Sequence, residues 1–152
     1  MSETKSSAPT AIALGVAGLI PFLFAPIVHL TGDLTVAPRL LNIPVATLVF
    51  YTYSPVIASF LCGTWWGRAL AADQAAPVTL VLSNVLALAA WAASAGLVGI
   101  AQPLALAAVF AALLAGEFLL PVLAGAPRYY RNLRTGLTVV VIACHIAMAL
   151  LA

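Results

Sequence analysis

Tyr51–Ala72 reads YTYSPVIASFLCGTWWGRALAA, an apolar helix long enough to cross the hydrocarbon core of a bilayer, which takes about 20 apolar residues. Its only charge is Arg68, one turn from the end. Ser59, Gly63 and Gly67 fall at i, i+4 and i+8 and so share one helical face. Lipid gives apolar surfaces no drive to associate, and small residues there let a neighbouring helix approach closely. That face is expected to be a packing seam for the rest of the chain.

Composition generalises the reading. The chain has 152 residues, 64% of them hydrophobic and 7% charged, far from the roughly one-quarter charged residues of soluble domains. Six Lys and Arg against four Asp and Glu leave too little basic surface for a nucleic-acid partner. Met1–Ser7 holds one Lys and one Glu ahead of an apolar run longer than the core of a cleaved signal peptide. It reads as an uncleaved first span, and a bacterial inner membrane is the simplest home.

Five spans are expected within a single all-α transmembrane domain, at about 8–30, 44–72, 77–100, 103–123 and 137–152. Pro21 and Pro26 should kink the first. Pro44 and Pro77 suit the first turns of the second and third. The short Ala101–Gln102–Pro103 connection makes spans three and four antiparallel neighbours. With five spans, Lys5, Arg68, Arg128, Arg131 and Arg134 fall on one side and only Arg39 on the other. Short loops rich in Lys and Arg stay cytoplasmic, so the N-terminus is expected inside and the C-terminus outside.

Ionisable groups within spans are costly and are functional candidates. Glu117 and His145 are the two here. At about 1.5 Å per residue, Glu117 lies at a depth similar to that of Trp65 and Asn84, with Arg68 one turn nearer the cytoplasm. If their helices face one another, these residues form one polar cluster. With Trp66 they would line a ligand site for a tetrapyrrole or a lipid; read structurally, the same contacts fix the helix arrangement. His145 sits near mid-bilayer and is expected to be neutral, making one interhelical hydrogen bond. Haem ligation with His29 is disfavoured because their depths differ by roughly 15 Å. Cys144 and His145 point about 100° apart, so no metal is expected. Cys62 and Cys144 read as core residues rather than a disulfide. Arg128, Tyr129, Tyr130, Arg131 and Arg134 form a basic, aromatic stretch suited to an interface, where it either orients the chain or holds an anionic lipid or a partner's acidic surface.

Three stretches, ALGVAGLIPFLFAP, YSPVIASFLCGTWWGRAL and PRYYRNLRTGLTVVV, resemble a family of small multi-pass bacterial membrane proteins of unknown function with a mitochondrial transmembrane relative. The resemblance rests on Gly15–Phe22, Ser59–Leu70 and Tyr130–Thr138 and implies the fold rather than an activity. The five-helix plan and Trp placement are also similar to the tryptophan-rich sensory or translocator proteins, which bind tetrapyrroles.

No nucleophile elbow, zinc-protease motif or phosphate-binding loop occurs, so an enzyme is not expected. The leading expectation is an accessory, assembly or scaffold protein for a membrane complex, with membrane lipids and a membrane-protein partner or a second copy as its contacts. Alternatives are a hydrophobic-ligand binder of the translocator type and a proton-coupled transporter using Glu117 and His145.

Overall fold

The computed structural model describes residues 3–31, 39–40, 43–72, 76–123 and 125–152. Asp33, Asp73, the larger part of the loop at 31–43 and the side chains of Lys5 and Arg39 lie outside the described residues, so the sidedness count draws partly on positions without a structural account.

The first span is two helices in one line of chain, α1 (Glu3–Ala17) and α2 (Ile20–Leu30). Pro21 has no N–H to give the Ala17 carbonyl and its ring crowds that turn. The chain answers with a tight turn at Gly18–Leu19, where Leu19 N donates to Val16 O at 3.0 Å. The expected kink is thus a break just ahead of Pro21, while Pro26 sits inside α2 without ending it. A two-residue antiparallel pair, β1 (Arg39–Leu40) with β2 (Ile43–Pro44), leads into α3 (Val45–Leu70). Then come α4 (Pro77–Gly96), α5 (Ala101–Leu119), a 3-10 turn at Pro121–Leu123, and α6 (Arg128–Leu150). Pro121 ends α5 earlier than expected, and α6 starts nine residues before the expected Leu137, because Pro127 is the N-cap and Arg128 opens the helix. With α1 and α2 taken together, the described residues hold five segments long and apolar enough to cross a membrane.

Packing pairs α3 with α4 and α5 with α6, and α2 docks on α3 and α6. The core is Phe22, Phe50 and Phe110 around His145, with ring centroids 5.7, 4.6 and 5.3 Å from the imidazole. His145 Nδ1 lies 2.8 Å from the Val141 carbonyl, which can only accept, so Nδ1 carries the proton. Nε2 is left facing the Ser54 hydroxyl at 3.0 Å. This is the expected interhelical bond, and it ties α6 to α3 at the centre of the bundle. Ser54→Ala should lower unfolding stability in detergent by only about 0.6 kcal/mol, the usual size of such bonds in membrane proteins. A loss above about 2 kcal/mol would mean the bond organises more than one helix contact.

The small-residue face is a correction. The buried positions of α3 are Ala46, Phe50, Ser54, Ala58, Cys62, Trp65 and Ala69. Ser59, Gly63 and Gly67 lie roughly 100°, 140° and 180° round the helix from Ala58 at the centre of that face, and all three are exposed. A Cβ added at Gly63 or Gly67 meets nothing within 4 Å. The bundle achieves close approach with Ser54, Ala58 and Cys62 instead. They are nearly as small, and Ser54 carries the hydroxyl that faces His145.

Candidate functional site

The polar site is built around Glu117, two residues from the end of α5 and 3% exposed. Its Oε1 accepts from Trp65 Nε1 at 2.7 Å, and Arg134 Nη2 lies 3.0 Å from the same oxygen. Its Oε2 accepts from Arg68 Nη1 at 3.2 Å. Arg68 Nη2 also donates to the carbonyl of Leu123, the last residue of the 3-10 turn that follows α5. Arg134 Nη1 donates to Thr64 Oγ1 at 2.7 Å and to Tyr130 Oη at 3.3 Å. Three helices therefore meet on one carboxylate, and no buried side-chain polar atom among the described residues lacks a partner.

A glycine makes the site possible. Gly116 is next to Glu117, and a Cβ there would overlap the Trp65 ring. With hydrogen in its place the edge of the indole's six-membered ring packs against α5, the side chain is buried to 1% exposure, and its N–H reaches the carboxylate.

A family described as "Protein of unknown function (DUF3429)" matches residues 7–150. The chain belongs to this family. No curated protein and no solved structure matches it. The family match spans every element that supplies the Glu117 site.

Of the expected cluster, the structure brings together Trp65, Arg68 and Glu117. It leaves out two residues, and both are corrections. Asn84 is exposed on α4 and its Nδ2 donates back to the Leu80 carbonyl at 2.8 Å. The face of α4 that turns inward is Thr79, Ser83, Ala90 and Ala93, one residue out of register with Asn84. Trp66 is 40% exposed, on the outer side of α3. Two adjacent rings cannot both face the bundle, and Trp65 is the one that does.

Arg134 moves the other way. The expected interface stretch splits: Arg128 and Tyr129 are exposed, Arg131 lies over the Phe118 ring at 6.0 Å, and Arg134 turns into the bundle at 7% exposure. Arg134, Thr138, Val141 and His145 recur at i, i+4, i+7 and i+11, the period of one helix face. That spacing was the available signal that Arg134 faces inward. His29 pairs locally, its Nδ1 lying 2.9 Å from the Ala25 carbonyl.

Two concave regions flank the core. One, of about 390 Å³, is a cleft between α1, α3 and α6 with Tyr130 and Arg134 at one end and Tyr53 and Phe22 at the other. The second, of about 450 Å³, lies toward the opposite end of the bundle, among His29, Thr47, Tyr51, Ser94 and Gln102. The Glu117 carboxylate lines neither. Packed against Trp65 and two guanidiniums, it holds helices together.

Proposed function

We propose that the chain is a non-enzymatic accessory or assembly protein of a bacterial inner-membrane complex, with its N-terminus cytoplasmic. It receives a partner's transmembrane helix on the Ser59, Gly63 and Gly67 face of α3. The observation that supports this reading is the openness of that face. The chain places small residues at helical spacing where its own helices do not use them. Such a face gains nothing against lipid but allows a second helix to pack at close range. The Lys and Arg distribution supports the orientation.

A native pull-down in mild detergent should recover a stoichiometric membrane-protein partner. Gly63→Leu with Gly67→Leu should lose that partner while leaving unfolding stability within about 0.5 kcal/mol, as expected of substitutions into open space. The reading fails if no stoichiometric partner is recovered, or if the double variant retains it. Recovery of this chain alone would make the face a contact between copies. A proton-coupled transporter has less support, since the partners of His145 are Ser54 and Val141 and those of Glu117 are Trp65, Arg68 and Arg134.

A further inference from the structure

We infer that the cleft between α1, α3 and α6 is a site for one acyl chain of an anionic phospholipid, with the phosphate held at the Tyr130 and Arg134 end.

Length is the first argument. The lining runs from Ala11 to Phe22 on one wall and from Tyr130 to Val141 on the other. Eleven residues along a helix rise about 16 Å, close to half of the roughly 30 Å hydrocarbon thickness. The cleft is therefore one leaflet deep. Its volume of about 390 Å³ falls in the range of about 300–1,000 Å³ usual for small-molecule sites.

Charge is the second. Arg68 and Arg134 share the single carboxylate of Glu117, so the buried group carries +2 from the arginines and −1 from the glutamate, a surplus of one positive charge. Arg134 brings this group to the cleft wall, and Arg128 and Arg131 add positive charge at the same end of the bundle. In a medium of low dielectric such a surplus favours an anion strongly, and basic pockets between transmembrane helices suit phosphate headgroups.

Hydrogen bonding is the third. Tyr130 Oη accepts from Arg134 Nη1, which leaves its own O–H free to donate and polarises it. The hydroxyl stands two residues into α6, at headgroup depth, and a phosphate oxygen can only accept from it. Below it the walls are aliphatic and aromatic, with Leu133, Leu137 and Ile57 facing the chain's path. The Tyr53 hydroxyl, at the far end, makes no hydrogen bond among the described residues, so it serves as a control for a ligand with a deep polar group.

The test is native mass spectrometry of the delipidated full-length protein in detergent, with phosphatidylglycerol or phosphatidylcholine of identical chains added. The wild type should take up one phosphatidylglycerol in preference to phosphatidylcholine by roughly fivefold, the effect of about one basic charge. Tyr130→Phe should weaken both adducts several-fold, since both lipids carry the phosphate that would accept from its hydroxyl, and keep the preference that the charge sets; Ala11→Trp should fill the cleft and remove both adducts, and Tyr53→Phe should change neither. Equal binding of the two lipids would overturn the inference. So would displacement of the adduct by excess inorganic phosphate, which would assign a free-anion site, or loss of the adduct in Tyr53→Phe, which would assign a ligand with a polar group at mid-bilayer. Should Ala11→Trp fail to fold, Tyr130→Phe alone decides, because it leaves Arg134 its bonds to Thr64 and Glu117.

Discussion

Glu117→Gln is expected to destabilise the bundle more than any other single change at a polar residue. Among the described residues its carboxylate is the anion that faces two guanidiniums and an indole N–H. The amide keeps the shape and one acceptor oxygen but leaves both arginines without a counter-charge. Removing one partner from a buried ion pair costs about 3–5 kcal/mol, since the remaining charge stays desolvated. Arg134→Gln should come next, because that guanidinium is almost fully buried, with a side-chain exposure of 8%. Arg68→Gln should cost least: its side chain is 24% exposed, and solvent and headgroups can take over its charge. Combining Glu117→Gln with Arg134→Gln should recover part of the loss, since the deepest charge and its counter-charge leave together. Denaturant unfolding of the purified variants in one detergent measures the series. Equal losses for Glu117→Gln and Arg68→Gln would show that the network is solvated throughout.

Five spans could be read from the sequence because each one is a long apolar run interrupted by Gly, Pro or charge, and no soluble arrangement hides that much apolar surface. The meeting of Trp65, Arg68 and Glu117 was legible for a related reason. Rise per residue gives depth, and polar groups within one turn of the same depth in lipid have few partners other than one another. Depth says nothing about azimuth, and the misplaced residues fail on azimuth. A soluble helix marks its buried face by polarity. In α3 and α4 the inward and outward faces are both small or apolar, so Ser59, Gly63 and Gly67 look as fit for the core as Ser54, Ala58 and Cys62. Asn84, one residue away from Ser83, looks as fit as its neighbour.

Arg134 was obscured by a boundary. With α6 assumed to begin at Leu137, three arginines spaced by three read as one stripe at the interface. Because α6 begins at Arg128, each step of three residues turns the side chain back by about 60°. The stripe therefore unwinds from an exposed Arg128, through Arg131 over Phe118, to a buried Arg134. The same shift carries Arg134 more than a turn deeper, to the level of Glu117. A single boundary residue, Pro127, thus separates an interfacial cation from half of a buried ion pair.

Gly116→Ala tests the second support of the site, and its sign is informative. In an exposed helix this change stabilises by up to about 1 kcal/mol, because alanine gives up less backbone freedom than glycine on folding. Here the new methyl would occupy space held by the Trp65 indole. The indole is rigid, closed in on its other sides, and tied to Glu117 through Nε1, so it cannot step aside without breaking that bond. Overpacking of this kind costs about 1–3 kcal/mol, and the broken hydrogen bond to a charged group adds about 1.5–3 kcal/mol. The net expectation is a loss of a few kcal/mol, approaching that of Glu117→Gln. Trp66 and Trp91 are exposed, so replacing both with Phe leaves Trp65 as the sole tryptophan. In that background Gly116→Ala should alter the Trp65 emission together with the loss of stability. An unchanged emission with a gain in stability would mean that α3 and α5 do not approach closely at Gly116, and the Trp65–Glu117 contact would fall with it.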